Sequence, residues 1–230
     1  MAFHDLIIGI KRGVFRVNDA GASRADAEFA AKRDGAKAAG RYKCIHCGWV
    51  SKRHIQVHHL DDNHRNNAPE NFGLADQECH AYHHVGEPSK LGGANDPGGA
   101  GRTAICAIPE ITPQDLNLLM RAMSIAYVAG GDEMRIAQKI HHRLATRREP
   151  VVLAWGSVKP EDFAAAMSHL KDAEYRARHD AVAPLRIVFR ATYMHDLAAR
   201  TMDDYPIMGG MKDWANVAQS VEAKCAVQGG

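Results

Sequence analysis

The chain has no long apolar run, no strong excess of charge and only five cysteines. The apolar run at residues 6–10 is too short for a secretory signal or a membrane span. A net charge of +2 does not by itself predict binding to nucleic acid, and the apolar share of 46% is ordinary for a soluble globular protein. We therefore expect a cytoplasmic protein without direct membrane insertion. In such reducing surroundings, clustered cysteines indicate metal binding rather than disulfides.

Three of the five cysteines and eight of the fourteen histidines fall between Cys44 and His84. Their order is a Cys-x-x-Cys pair, a His-His pair, an asparagine and a Cys-His pair. This is the ligand order of a zinc knuckle wrapped around an HNH, or ββα-metal, motif. The sequence therefore predicts a metal-binding module in which cysteines hold the loops and histidines occupy the positions of nuclease chemistry. Cys106 and Cys225 stand alone and are interpreted as small hydrophobic residues.

Structural zinc takes four tetrahedral ligands, usually as two pairs that each lie on a tight turn. Cys44 and Cys47 form one complete pair. The same spacing before Cys79 points to Asp76, and a carboxylate can also bind zinc. The fourth ligand is open at this point, because His83 lies one helical turn after Cys79 and is the leading alternative. Further candidates for the fourth ligand are His80 and His54.

The histidines and the asparagine match the working positions of an HNH nuclease. His59 is at the position of the general base, which takes a proton from water. Asn71 is at the position that orients the base and ties down the loop, and His80 is at that of a metal ligand. A second metal, Mg²⁺ or Mn²⁺, would be bound by His58, His80 and His84. Taken singly, each of these residues also has a plain structural use in a hydrogen bond, a zinc site or a turn.

The pattern around these residues indicates a strand, a loop, a strand and a helix. We expect strands at residues 54–60 and 72–75 and a short helix at 77–84. Ahead of them, residues 5–17 have the pattern of a β-hairpin, and a helix capped by Ser23 is expected at about residues 24–37. The predicted fold class is α+β, with an HNH-like ββα-metal zinc module, an N-terminal hairpin and helix, and a mainly helical C-terminal half.

The chain divides at a glycine-rich stretch. Residues 1–90 form the predicted HNH-like zinc-binding module. Residues 86–101 form a flexible loop with six glycines and two prolines, and residues 102–230 form a mainly helical, partner-binding region. We expect the two parts to pack as one globular unit.

Capping residues and apolar spacing mark the elements of the helical region. Thr112 and Pro113 begin a helix that ends at the double glycine of residues 130–131, and a second helix follows at 132–147. Residues 151–155 are predicted to be a buried strand or extended segment. Further helices are expected from Pro160, over residues 191–202 and around Trp214, while residues 185–189 fit either a strand or a helix.

A basic stretch at residues 139–148 bears on function. It carries four formal positive charges and no acid. The stretch fits a series of phosphate contacts, but the solvated face and positive last turn of an ordinary helix explain it better.

Several segments together resemble the DotN (IcmJ) family of type IVB (Dot/Icm) secretion systems and related conjugation systems. The resemblance runs from about residue 36 to residue 170. It rests on the joint order of the knuckle, the glycine loop and the Pro-Glu-Ile-Thr start of a helix. The segments that carry it are YKCIHCGW, NNAPENF, AIPEITPQDLNLLMRAM, IAQKIHHRL and PVVLAWGSVKPEDFAAAM.

This resemblance implies an HNH-like zinc fold used as a non-catalytic scaffold subunit. Such a subunit binds the coupling ATPase and other coupling-complex subunits, helps to recruit substrates, and is peripheral to the inner membrane through its partners. The chain departs from the family at Asp76, where the family's second metal pair has a cysteine. It also has His59 and His80, which a pure scaffold does not need. The alternative expectation is therefore an active HNH endonuclease that cuts DNA with His59 as general base.

Overall fold

The computed structural model describes residues 4–10, 22–63, 65–86 and 102–204. Within these ranges the predicted α+β class is confirmed, with helices predominating and short strands in two separate sheets. Among the described helices, none combines the length and the hydropathy that crossing a bilayer requires. The strands are β1 (Gln56–His59), β2 (Phe72–Ala75), β3 (Thr103–Ala107) and β4 (Leu185–Phe189). The helices are α1 (Ala22–Ala39), α2 (Gln77–His83), α3 (Pro113–Ala129), α4 (Gly131–Thr146), α5 (Glu149–Trp155), α6 (Pro160–Ser168), α7 (Asp172–Ala177), α8 (His179–Val182) and α9 (Ala191–Asp204).

The first sheet and the helix after it follow the predicted order of strand, loop, strand and helix. β1 pairs antiparallel with β2, and His59 lies opposite Phe72. A one-turn 3-10 helix, Pro69–Asn71, leads the loop directly into β2. β1 begins at Gln56, so the strand is shorter at its start than the predicted range 54–60.

Helix α1 is fixed at three points to the first sheet and to the loop between its strands. Near its start, Asn67 Nδ2 donates a hydrogen bond to Ala25 O at 3.0 Å. In its middle, Lys32 Nζ donates to Asn67 O, also at 3.0 Å. Just past its end, Gly40 packs so closely that a β-carbon there would overlap the Leu74 side chain. One face of α1 is thereby held beside β1.

The second sheet joins the beginning and the end of the helical half. β3 pairs antiparallel with β4, and Ile105 lies opposite Ile187. All five residues of β4 are buried, and its β-branched Ile187 and Val188 suit a strand that is covered on both faces. Residues 185–189, which fit a strand or a helix from the sequence alone, are therefore a strand.

Helices α3 and α4 begin and end close to the predicted residues. The Thr112 side chain caps α3 by accepting from Asp115 N at 3.1 Å. Gly130 ends α3 with a φ of 79°, a left-handed value that favours glycine. The two helices pack against each other, and the Tyr127 hydroxyl lies 3.0 Å from His141 Nδ1.

The prediction of a strand at residues 151–155 is wrong, because these residues belong to helix α5. Pro150 lies in the first turn of this helix, and Gly156 ends it in the left-handed conformation with a φ of 75°. A proline that starts a helix and a glycine that stops one outweigh the apolar, β-branched run between them. Val151 is buried, whereas Leu153 is 82% exposed, so the run is also not a core segment.

Predictions near the termini have different outcomes. α1 begins at Ala22, so Ser23 lies inside the helix rather than ahead of it, where the sequence places the cap. Residues 4–10 have no regular secondary structure, so the first strand of the predicted hairpin is absent there. The remainder of the hairpin, the glycine-rich residues 87–101 and the helix expected around Trp214 lie outside the described residues.

The cysteine-containing N-terminal part and the helical half contribute to one apolar core. Tyr82 of α2 is fully buried, and its hydroxyl accepts from Ile187 N of β4 at 2.9 Å. Trp49 Nε1 donates to Asp204 Oδ2 at the end of α9, also at 2.9 Å. These buried contacts join segments that are far apart in the sequence, so the two halves stabilise each other.

Leu116 of α3 provides a test of this core. Its side chain is 0% exposed, so Leu116→Ala removes buried methyl groups and leaves a cavity. We expect the free energy of unfolding to fall by about 2–5 kcal/mol. The matched control Leu153→Ala, at a residue that is 82% exposed, should change it by no more than about 0.5 kcal/mol. Urea denaturation measures both values, and equal effects would contradict the packing described above.

Candidate metal centres

Cys44 and Cys47 lie on a tight turn that follows α1. Gly48 N donates to Cys44 O at 3.0 Å, and Cys44 N donates to Trp49 O at 2.8 Å. Gly48 has a φ of 77°, which residues other than glycine rarely adopt. The turn holds both cysteines in the interior, where they are buried.

Asp76 and Cys79 complete a first cluster from the start of α2. Asp76 caps the helix, and its Oδ1 accepts from Cys79 N at 2.8 Å. Its Oδ2 accepts from the Cys47 thiol at 2.7 Å. One potential ligand atom from each of Cys44, Cys47, Asp76 and Cys79 lies within 4.8 Å of the others. The structure thus brings together four residues that the sequence predicts as zinc ligands, here called the cysteine cluster.

The other candidates for the fourth ligand lie outside the cysteine cluster. His83 Nε2 is 3.0 Å from His46 Nε2. His54 Nε2 is 3.1 Å from Asp203 Oδ2, near the end of α9. His80 belongs to a second group of possible ligands. Of the four candidates from the sequence, the aspartate is the one whose oxygen lies among the three sulfurs.

The cysteine cluster has the donors and the size of a structural metal site. Sulfurs that share a tetrahedral Zn²⁺ at about 2.3 Å lie roughly 3.8 Å apart. The ligand atoms of the cluster all lie within 4.8 Å of one another, and all four residues are buried. A buried carboxylate among thiols is costly unless cations compensate it, and Arg121 provides part of this compensation. The cluster can therefore hold a metal ion, and its donor set is compatible with zinc.

Burial and contacts among the thiols determine the protonation of the cluster. Burial raises the pKa of Cys47 and that of Cys79 well above the ordinary thiol value. Burial acts in the same direction on Cys44, but hydrogen bonds from the other two thiols outweigh it and lower the pKa of Cys44. Burial also raises the pKa of Asp76 to about 7. Because metal ligands must lose these protons, metal binding should weaken as the pH falls.

Arg121 of α3 places a buried positive charge beside the cysteine cluster. Its Nη2 lies 3.3 Å from Asp76 Oδ1, and it forms a second ion pair with Glu78. One helical turn earlier, Asn117 Nδ2 donates to Cys79 Sγ at 3.4 Å. Three thiolates and a carboxylate carry more negative charge than one Zn²⁺ neutralises. The adjacent arginine and amide therefore suit the outer shell of an occupied site.

Glu78 connects this outer shell to the C-terminal helix. It is buried between Arg121 and Arg200, whose Nη2 donates to Glu78 Oε1 at 3.0 Å. Burial opposes ionisation, but the two arginines outweigh it and lower the pKa of Glu78. The sequence patterns described above do not identify this network. A signal for it is present, because Asn117 and Arg121 lie four residues apart within the apolar spacing of α3.

A second cluster is formed by His58 of β1, His80 of α2 and His84, the residue that directly follows α2. His80 and His84 are four residues apart, and their Nε2 atoms are 3.1 Å from each other. A ring nitrogen of His58 completes a buried group within 4.8 Å. Two nitrogens bound to one ion at about 2.1 Å lie roughly 3–3.5 Å apart. This histidine cluster can therefore hold a second metal ion.

His58 is held in the neutral form that binds metals. Burial, together with the neighbouring His83 and His84, lowers the pKa of His58 to about 2. Its ring stacks on that of His83, with 4.3 Å between the centroids. A carboxylate lies at the edge of the cluster, since Asp62 Oδ1 is 3.9 Å from His58 Nε2. Neutral imidazole is the form in which histidine ligates metals, so burial favours this role for His58.

His59, next to the histidine cluster, is oriented by Asn67. His59 Nε2 lies 3.0 Å from Asn67 Oδ1, while Asn67 Nδ2 donates to Ala25 O. Since an amide oxygen can only accept, Nε2 of neutral His59 carries the hydrogen and Nδ1 keeps the lone pair. The ring packs against both Phe29 and Phe72, each with its centroid 5.2 Å away. The contacts therefore fix both the tautomer and the position of His59.

Asn71 holds the loop that carries this asparagine. Its side chain accepts from Asp61 N at 3.1 Å and donates to Asp61 Oδ1 at 2.8 Å. It also donates to Asn66 O at 2.9 Å, directly before Asn67. Asn71 thus lies where it ties down the loop. Asn67, which contacts His59 directly, is not identified by the motif.

The histidine cluster and His59 open on a cleft of about 360 Å³. One face of α1 forms another part of its wall, through Phe29, Arg33 and Lys37. Among the described residues that line the cleft, none is acidic. A cleft that combines possible metal ligands, an oriented histidine and two cationic side chains suits a phosphate-containing ligand.

Comparison of the chain with protein-family models and with curated proteins finds no match. The resemblance to the DotN family therefore stays a prediction, and the site is interpreted from its own residues and geometry.

The cysteine cluster leads us to expect a tightly bound zinc ion that depends on Cys44. Cys44→Ser should lose this ion and lower the melting temperature, because the binding energy of a structural metal is folding energy. The control Cys106→Ser, at a buried cysteine outside the cluster, should keep it. Elemental analysis measures the zinc content of all three proteins, and acidification should release zinc from the wild type. Full zinc content in Cys44→Ser would contradict the assignment.

Proposed function

We propose that this protein is a metal-dependent nuclease with an HNH-like ββα-metal site that hydrolyses phosphodiester bonds in DNA. The observation that carries the proposal is one cleft lined by both the three-histidine cluster and the separately oriented His59. Phosphodiester hydrolysis needs activation of water and stabilisation of the developing negative charge. This cleft has a candidate group for each requirement, while the cysteine cluster supports the fold.

His59 is the proposed general base. Its Nδ1 takes a proton from a water molecule in the cleft while the water oxygen attacks phosphorus. The bond from phosphorus to the leaving sugar oxygen breaks, and that oxygen takes up a proton from solvent. His58, His80 and His84 would hold a divalent cation, which when bound would supply stabilisation of the negative charge that develops at the phosphate and the leaving oxygen. The products are a phosphate monoester and a free hydroxyl.

Two asparagines keep the proposed base in its working form. Asn67 accepts the Nε2 hydrogen of His59 and so keeps the lone pair on Nδ1. Asn71 secures the loop from which Asn67 projects. Small displacements of a catalytic group lower rates strongly, so this positioning is part of the proposed mechanism.

The histidines favour a nuclease over a pure scaffold. The cysteine cluster alone would suffice to hold the loops of a scaffold. Burying several imidazoles close together costs solvation, which a metal ion bound among them would offset, and His59 is oriented beside them. Their arrangement is what supports the catalytic proposal.

Incubation with supercoiled plasmid DNA and Mg²⁺ or Mn²⁺ tests this proposal. The wild type should produce nicked and linear DNA. His59→Ala should lower the rate by at least about 100-fold, because it removes the base and leaves both clusters in place. The control His142→Ala, at an exposed histidine of α4, should cleave like the wild type. Gel electrophoresis follows the products, and equal cleavage or no cleavage by all three proteins would exclude the proposed role of His59.

A second candidate function is a scaffold subunit of a type IVB secretion or conjugation coupling complex. The observation that favours it is the apolar surface of α5, where Val152, Leu153 and Trp155 are 44%, 82% and 46% exposed. Exposed apolar residues close together suit contact with another protein. With the resemblance to the DotN family, the proposed partner is the coupling ATPase, which would hold this chain at the inner membrane. This function does not require cleavage of DNA.

Co-purification with the coupling ATPase tests the second candidate. The wild type should form a stable complex at micromolar concentration. The double variant Leu153→Asp/Trp155→Ala should weaken the complex at least about tenfold, because it removes an exposed apolar anchor. Met202→Asp, at a residue of α9 that is 53% exposed, is the matched control and should bind normally. Absence of a complex with the wild type, or equal binding by all three proteins, would contradict docking through α5.

A further inference from the structure

Helix α1 lies outside the ββα unit, yet one of its faces lines the cleft. Phe29, Arg33 and Lys37 follow one another at intervals of four residues, so they share that face. Phe29 packs on His59, with 5.2 Å between the ring centroids. The two cations therefore extend along the helix from the position of the proposed base.

Neither cation is strongly engaged elsewhere in the described parts of the chain. Arg33 Nε lies 3.5 Å from Asp34 Oδ1, and both side chains are at least half exposed, so this contact contributes little. Lys32, on a neighbouring face of the same helix, shows the opposite situation. Its Nζ donates to Glu28 Oε1 at 2.6 Å and to Asn67 O at 3.0 Å. Among the cations of α1 whose side chains the structure describes, Arg33 and Lys37 are thus the ones that line the cleft.

We propose that Arg33 and Lys37 bind backbone phosphates next to the scissile one, which makes α1 a strand-binding element. This inference rests on the proposed nuclease function. At a rise of 1.5 Å per residue the two positions are about 6 Å apart along the helix axis. Their long side chains can therefore reach successive phosphates of one strand. Since phosphate contacts carry no sequence information, binding should show little sequence preference.

The fixed attachment of α1 supports this role. Contacts at Ala25, Lys32 and Gly40 hold the helix on the ββα unit. The cations are therefore presented at a set distance from His59 rather than on a free arm. A cation in the last turn of a helix, such as Lys37, also stabilises the helix dipole. That use does not require a second cation one turn earlier in the same cleft.

Binding of a fluorescent oligonucleotide of about 20 nucleotides provides the first test. Anisotropy is measured without added Mg²⁺ or Mn²⁺, over a series of salt concentrations, with DNA and RNA in separate arms. Arg33→Ala/Lys37→Ala should bind at least about tenfold more weakly at low salt. The slope of log K against log salt should decrease by about 1.4 for single strands and about 1.8 for duplexes. Arg135→Ala/Lys139→Ala removes the same pair at the same spacing from exposed α4 and should bind like the wild type.

Cleavage then separates this inference from the proposed function. The comparison is kcat/KM for DNA relative to kcat/KM for bis(p-nitrophenyl) phosphate, a small diester without neighbouring phosphates. The Arg33→Ala/Lys37→Ala variant should lower this ratio at least about tenfold. If the wild type cleaves neither substrate but its oligonucleotide binding depends on these two cations, strand binding stands and the nuclease proposal falls. Suppose instead that the wild type cleaves both substrates. Strand binding by α1 is then overturned if the α1 variant has the same kcat/KM ratio as the wild type, or if the α4 control weakens oligonucleotide binding as much as the α1 variant does.

Discussion

The carboxylate of Asp76 is the group on which both halves of the protein depend. One oxygen caps α2 through Cys79 N, and the other accepts from the Cys47 thiol within the cysteine cluster. Arg121 of α3 lies 3.3 Å from the first oxygen. The same side chain thus sets the start of α2, completes a candidate zinc set and contacts the helical half. A cysteine here would supply a metal ligand, but it would neither cap the helix as well nor pair with an arginine.

Buried charges fix the relative orientation of these parts. Glu78 lies between Arg121 and Arg200, and the guanidinium of Arg121 also lies 4.3 Å above the Trp49 ring. Such a network adds little net stability compared with an apolar core, because burying the ions costs much of what their attraction returns. Removing one member, however, leaves an uncompensated charge. Polar groups that are satisfied in one arrangement therefore disfavour other packings of α3 and α9 on the cysteine cluster.

Local patterns made part of this architecture predictable from the sequence. Two features depend on residues close together in the chain. They are the turn that holds Cys44 and Cys47 and the four-residue spacing of His80 and His84. Other features depend on which distant segments pack together, and the periodicity of the sequence does not predict such packing. They are the β3–β4 pairing and the contacts of Asn67 and Arg121. The sequence predicts a strand where the structure has helix α5, because two signals conflict there. The β-branched, apolar residues favour a strand, while the flanking proline and glycine favour a helix. The residues at the helix ends therefore determine the structure of this segment.

Helix α2 is a wall shared by the two clusters, with Cys79 and His80 as consecutive residues. Consecutive positions on an α-helix differ by about 100° in direction, so each cluster uses a different side of the same helix. The groups that would organise the fold are therefore separable from those that would perform chemistry. Substitution of the histidines should therefore leave the contacts of the cysteine cluster in place. The two sides of α2 can therefore be altered independently of each other.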